Sequence, residues 1–455
     1  MKCLRFEHDL LAGLAGTSPK RRSDQEEPPT TAEQFGRADL EAYQLAELRK
    51  TVSRVCDRAS FYRDRCTSAD QIPWPLGSLR DLARLPLTEP KDLASAPYAF
   101  ACVSQAAIAR AMTFTSSGTT GPQKRVFFSE ADLERMTDFM AAGMRTVAAT
   151  GDVVQIMLPA GPPNSQADLL SKGVLKMGGV PVVTGTAPTV SQLEAIKKYH
   201  PAVIFGSTGR LYRLTKEAEQ LCQTAELGLR CVFVTSEYLS SSMRENLREA
   251  WGAEVASHYG MTEMGLGVAV ECGQGDGYHF DERDLIVEVI DPQTGAVLGD
   301  GAEGELVFTT LHREAMPILR YRTHDIARVW SAPCEHGATV LKKIGPIIKR
   351  TGGILRLNGG ELYPSLLDEA IFRVREVIDW RASLVGAEDP KTLHIQVELV
   401  DGAWTKRTGV RKAVLQVDSV REAVESGELR LVVELLPSGS LIRTSRAKKL
   451  IAQLP

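Results

Sequence analysis

The sequence lacks any apolar run of about 18 residues, the length a membrane-spanning helix needs, so no membrane partner is expected. It also lacks an excess of one charge: 54 Lys and Arg against 57 Asp and Glu leave −3 over 455 residues. A bulk electrostatic nucleic-acid binder is therefore not expected, although this balance still allows a local basic patch. Aromatic residues are 6% of the chain, too few to mark an aromatic pocket. Eight cysteines do not make a dense disulfide framework at this length, and a reducing cytoplasm is the expected setting. Glu7, His8 and Asp9 interrupt the N-terminal MKCLRFEHDLLAGLAG, which argues against a secretory signal.

What is present is an ordinary globular composition, long enough for two or three domains. Residues 17–35 are polar, rich in Pro and Thr and without periodicity, and 1–35 reads as a flexible N-terminal segment. Leu45, Leu48, Val52 and Val55 then mark one helix face. Strand-like runs at 153–159, 180–185, 202–207 and 231–236 alternate with helical stretches at 165–177 and 190–199, which predicts a mostly parallel sheet. Ser129 is the expected N-cap of a further helix whose Leu133, Met136, Met140, Met144 and Val147 form a core stripe. LIVEVI (285–290) and ELVFTT (305–310) predict a more antiparallel region. The Gly-rich 350–360 precedes helix-like 364–375, strand-like 393–400, a helix near 405–425 and strand-like 429–436. The expected class is α/β: a large body (36–350) with mostly parallel sheets and a β-rich subdomain, then a small mobile α+β domain (351–455).

The sharpest local pattern is Thr115-Ser116-Ser117-Gly118-Thr119-Thr120-Gly121-Pro122-Gln123-Lys124. Its glycines admit close approach of backbone N–H groups to phosphate oxygens, its hydroxyls add donors and Lys124 adds charge. The spacing is not that of a Walker loop, and a Ser/Gly-rich surface turn is the alternative. Two other strings follow in order: His258-Tyr259-Gly260-Met261-Thr262-Glu263, and 304–325, which ends in YRTHD.

Together these strings resemble the adenylate-forming superfamily, in the form seen in phenylacetate–CoA ligases, and the likeness runs over about residues 40–450. The resemblance implies a two-step reaction. A carboxylate attacks the α-phosphate of ATP to give an acyl-adenylate and pyrophosphate, and a thiol, usually that of coenzyme A, then displaces AMP. It implies that residues 116–121, with Lys124, hold the β- and γ-phosphates and that Thr262 bonds the α-phosphate. Glu263 would hold Mg²⁺ and Asp325 the ribose hydroxyls, with Ser236, Glu237, His258, Tyr259, Gly260 and Met261 around the nucleotide. Two simpler readings stand beside these: Asp325 as a surface ion pair with Arg322 or Arg328, and Glu263 as an acid at a helix N-terminus. Arg350 would contact the nucleotide, and the hinge position falls on Gly352. The family's C-terminal lysine has no ungapped match. Lys448 is preferred over Lys449, with a pair of solvated surface lysines as the alternative.

Cys272 and His279 form one pair on a Gly-flanked loop, Cys334 and His336 another. The two pairs either close a tetrahedral zinc site or are unrelated. Cysteines 3, 56, 66, 102, 222 and 231 show no ligand spacing and read as buried small hydrophobes. The expected activity is an AMP-forming acid–CoA ligase using ATP, Mg²⁺ and coenzyme A on a small carboxylic acid, with a homodimer as a family-level expectation. Transfer to a carrier-protein thiol or an amine, and a nucleotide-binding protein with little turnover, stay open. Gly206, Ser207 and Thr208 line a pocket or form a strand-end turn.

Overall fold

A computed structural model describes residues 2–14, 31–67, 75–115, 123–273, 275–331, 333–386, 390–441, 449 and 451–454. Ser116, Ser117, Gly118, Thr119, Thr120, Gly121 and Lys448 thus lie outside the described residues. The chain divides into two compact units: Met1–Gly151, Gly161–Val180 and His258–Ile347 form the first, and Asp152–Ala160, Pro181–Ser257 and Ile348–Pro455 the second.

In the first unit the strands Arg110–Thr115 and Gln123–Phe128 pair antiparallel, Thr115 opposite Gln123 and Phe114 opposite Lys124. The phosphate-loop string therefore connects two paired strands. Ser129 caps the helix Glu130–Met144 by accepting from the Asp132 amide, while Asp132 returns a bond to the Ser129 amide, a reciprocal arrangement that satisfies two orphan donors. Leu133, Met136, Met140 and Met144 are buried as expected. Val147 lies past the helix end. The antiparallel region is confirmed: Leu285–Ile290, Glu303–Thr310, Tyr321–Trp330, Lys343–Ile344, Tyr278–Phe280 and Ala269–Glu271 neighbour one another in that order. Leu285–Ile290 is buried on both faces apart from Glu288.

Two expectations are corrected here. The helix Arg37–Arg58 buries Leu40, Tyr43, Leu48, Val52 and Val55, so its core stripe begins earlier and Leu45 sits at its edge. Within 1–35, Lys2–Ala12 is a helix with Phe6, Leu10 and Leu11 buried. Its Glu7 carboxylate, 4% exposed, accepts from the amides of Thr339, Val340 and Leu341 at 2.8–3.1 Å. Residues 6, 10 and 14 repeat at helical spacing, and one carboxylate meets three successive backbone amides.

In the second unit Val153–Met157, Val203–Ser207 and Cys231–Thr235 are parallel neighbours, joined by crossover helices such as Thr189–Tyr199 and Thr208–Ala218. The C-terminal part is a four-stranded sheet in the order Leu429–Leu436, Lys391–Leu399, Val377–Val385, Ile451–Leu454. The helix expected near 405–425 is two, Arg407–Val414 and Asp418–Glu425, because Leu415 to Val417 form a turn between them. Leu211, Tyr212 and Trp251 share one core with Leu367, Phe372 and Trp380, so this sheet packs on the 181–257 segment. Among the described residues, no helix is long and apolar enough to cross a membrane.

Candidate active site

In the first unit the strand ending in His258 and Tyr259 runs into a tight turn. A Cβ at Gly260 would collide with the Leu266 carbonyl oxygen, so only glycine fits there. Gly265 (φ 96°) and Leu266 (φ 68°) take left-handed conformations, and the Leu266 amide closes on the Met261 carbonyl at 2.9 Å. The single turn Thr262–Met264 presents Glu263 inward. It is too short for the helix-dipole reading of that acid.

Glu263 has a specific partner instead. Lys124 Nζ lies 2.5 Å from Glu263 Oε1, and the Tyr321 hydroxyl donates to the same oxygen at 2.7 Å. Lys124 Nζ also donates to the Tyr321 oxygen at 3.0 Å. Lys124 and Glu263 are 6% and 5% exposed. Burial alone would raise the Glu263 pKa, but the Lys124 charge and the two hydrogen bonds outweigh it and hold the carboxyl below its ordinary value. A buried, ionised carboxylate offers the hard, anionic oxygens a divalent ion takes, provided Lys124 releases it.

Tyr321, Thr323 and Asp325 alternate inward along the strand Tyr321–Trp330. Asp325 is 2% exposed, and its Oδ2 accepts from the Tyr259 hydroxyl at 2.7 Å. Its amide donates to Thr323 Oγ1 at 3.0 Å, and His324 beside it has φ 63°. The surface ion-pair reading of Asp325 is set aside. Arg322 pairs with Glu305 and Glu89, and Arg328 with Glu303. His258 is half-buried, and burial pushes its imidazole down to about 4, so it is neutral near pH 7.

In the second unit Ser236 takes a left-handed conformation (φ 75°) at the carboxyl end of a parallel strand, where ligand crevices form in open α/β sheets. The next residue, Glu237, accepts from the Gly209 amide at 3.1 Å, the first turn of the helix Thr208–Ala218. Thr208 is fully buried and donates to the carbonyls of Thr235 and Glu237, which favours the strand-end turn over a pocket lining. Arg350 is half-buried in Lys349–Arg350. Added Cβ atoms at Gly352 and Gly353 would meet nothing within 4 Å, so this backbone conformation does not demand glycine. Lys449 is structural: its Nζ lies 2.5 Å from Asp368 and 3.7 Å from Asp379, over the rings of Phe372 and Trp380.

The four residues of the two Cys/His pairs converge in the first unit. Cys272 Sγ and Cys334 Sγ are 2.8 Å apart, and His336 Nδ1 is 3.6 Å from each. The ligand atoms of Cys272, His279 and Cys334 lie within 4.8 Å of one another. His279 Nδ1 donates to the Lys342 carbonyl at 3.0 Å, which reserves Nε2 for the sulfurs. Burial raises the Cys334 thiol pKa, but hydrogen bonds from Cys272, His279 and His336 outweigh it and bring the thiol below its ordinary value. Two sulfurs and two imidazoles suit zinc. Of the remaining cysteines, Cys102 and Cys231 are buried thiols and Cys222 is half-buried. Cys56 departs from the expectation, being half-buried and disulfide-bonded.

Sequence reasoning passed over Tyr321 and Arg313. Tyr321 opens YRTHD four residues before Asp325, a period-2 signal that would have found it. Arg313 Nη1 donates to the Glu263 carbonyl at 3.2 Å and carries no motif.

Residues 50–312 match a family model described as AMP-binding enzyme. A phenylacetate–coenzyme A ligase of Thermus thermophilus is 30% identical over 441 residues, covering 91% of this chain and 96% of that one. Another from Pseudomonas putida is 29% identical over 388 residues, covering 83% and 85%. A solved 2-hydroxyisobutyryl-CoA ligase, in its postadenylation state with R3-HIB-AMP, superposes with a TM-score of 0.78 at 20% identity over 94% of this chain and 92% of that one. The chain belongs to the AMP-binding enzyme family. Its activity is that of an AMP-forming acid–CoA ligase of the phenylacetate–CoA ligase kind.

Proposed function

We propose that the acid is an arylacetic acid of the phenylacetate type and that the residues above divide the work as follows. The acid's carboxylate oxygen attacks the α-phosphorus of ATP, and the bond to pyrophosphate breaks. The obstacle is an anion approaching a polyphosphate, so neutralising donors lower the barrier most. Residues 116–121 and Lys124 cradle the β- and γ-phosphates, Thr262 donates to the α-phosphate, and Asp325 accepts from the ribose hydroxyls. Glu237, Ser236, His258, Tyr259, Gly260, Met261 and Arg350 enclose the nucleotide. Glu263 would hold Mg²⁺, which supplies charge neutralisation to the phosphates. Lys448 reaches the reacting carboxylate, a role favoured over Lys449 by that residue's bond to Asp368. In the second step the thiol sulfur attacks the acyl carbon, the bond to AMP breaks and the thiol proton leaves.

The pairing of Glu263 with Lys124 and of Asp325 with Tyr259 carries this reading: two buried carboxylates, each held by its own partner. Cys272, His279, Cys334 and His336 hold a structural zinc ion, apart from the reacting groups. A cytoplasmic location fits the supply of ATP and coenzyme A, although the Cys56 disulfide runs against it. Incubating the purified chain with ATP, Mg²⁺, CoA and a panel of acids tests the proposal. AMP and pyrophosphate release is expected to be greatest with phenylacetate and its ring-substituted analogues. Release only with acids that lack an aryl group would refute the assigned substrate class.

A further inference from the structure

Glu398 stands in Lys391–Leu399, a strand otherwise rich in apolar residues, and is fully buried. A lone carboxylate there must be paired. Arg213, on the helix Thr208–Ala218, grips it with two nitrogens at 2.5 and 2.8 Å, a forked geometry that only arginine offers. The same carboxylate accepts from the amides of Gly439 (2.7 Å) and Leu441 (2.9 Å), and Arg213 donates back to the Leu441 carbonyl at 3.0 Å. One guanidinium and one carboxylate thus pin the backbone at 439–441. The other end of this helix start is tied to the nucleotide side: Gly209 donates to Glu237, and Thr208 to the Glu237 carbonyl. Gly209 and Arg213 are four positions apart, about one helical turn. A single rigid element therefore touches a nucleotide-flanking acid and the C-terminal part of the chain.

We propose that Arg213 is a positioning residue for adenylation: through Glu398 and the 439–441 backbone it seats the C-terminal part on the helix that also carries Glu237. The proposal rests on the reading that a C-terminal lysine serves the first half-reaction. Stability alone would need only charge neutralisation of Glu398. Positioning needs the fork and the bond to Leu441.

The two half-reactions separate these roles. ATP–pyrophosphate exchange with phenylacetate reads the first, and CoA thioester formation from supplied phenylacetyl-adenylate reads the second. In Arg213→Met, exchange is expected to fall roughly ten- to a hundredfold in kcat, the range a small misplacement causes, with KM for ATP and the thioester step unchanged. Arg213→Lys, a point charge without the fork, is expected to fall between. In Arg213→Met/Glu398→Gln the buried charge is gone, yet exchange is expected to stay slow. Recovery of exchange in that double variant, or equal loss of both half-reactions in Arg213→Met, would assign Arg213 to stability and overturn the proposal. Unchanged exchange in Arg213→Met would overturn it as well. A Lys448→Ala arm, read alongside, keeps the underlying reading separate: unchanged exchange there removes the lysine and leaves the Arg213 results to stand or fall by themselves.

Discussion

Two buried polar clusters share the antiparallel part of the first unit, and they are satisfied in opposite ways. Around Glu263 the protein supplies its own cation, the Lys124 ammonium, and a hydroxyl from Tyr321. Around Cys272 and Cys334 it supplies only donors: two sulfurs and two imidazoles, with no side-chain cation among the groups that converge there. A carboxylate with an internal counter-ion can give it up when a charged ligand arrives, because the lysine gains phosphate oxygens in exchange. A set of thiols and imidazoles has no such substitute and gains most from a permanent ion. One cluster is built for exchange and the other for retention.

The largest effect should come from breaking retention. Cys334→Ala is expected to abolish bound zinc in metal analysis and to cost at least about 4 kcal/mol, the stabilisation given by a ligand present at a thousandfold over its Kd. Urea unfolding measures it, and a variant that unfolds as the parent chain does, with no metal in either, would erase the contrast. A smaller effect should follow in the exchangeable cluster. Tyr321→Phe removes the hydroxyl that bonds both Glu263 and Lys124, a loss of about 2 kcal/mol, so acid-dependent pyrophosphate exchange is expected to slow about thirtyfold while zinc content is untouched.

The smallest effect concerns imidazoles. His279 faces sulfurs, whereas His258 is half-buried away from them and His312 meets the Tyr43 hydroxyl and Glu47. Burial depresses both of the latter to about 4, and Arg135 adds to the effect at His312. An unfolded imidazole titrates near 6.5, so between 6.5 and about 4 the unfolded chain binds more protons and stability falls as pH falls. Asp284, raised to about 6 by burial and by Asp281, opposes this with one proton against two. Thermal midpoints across this window should decline as pH falls, and the slope should reverse in His258→Gln/His312→Gln, where the Asp284 proton is left unopposed. A slope identical to that of the parent chain would mean that other groups set it.

The legible parts were those where chemistry and spacing coincide. Buried apolar runs marked the parallel strands, Ser129 with Asp132 marked a helix start, and the order of HYGMTE and YRTHD pointed to Glu263 and Asp325. The strand Val377–Val385 was missed because Asp379 and Arg381 disguise it, although Asp379 is largely buried. The two helices after Trp404 ran together because no glycine or proline stands between them. Lys449 and Lys448 are indistinguishable by type, and only the bond to Asp368 separates them.

Taken alone, the order of residues determined which groups are available: glycines where backbone must turn tightly, a tyrosine and an aspartate at even spacing on one strand, cysteines and histidines in two pairs. Local pattern reaches that far because it is set by covalent geometry over a few residues. Which group faces which was decided by the tertiary structure. Lys124 meets Glu263 across 139 positions and Arg213 meets Glu398 across 185. Such partners are selected by the cost of burying an uncompensated charge, and that cost exists only once the chain has closed around it.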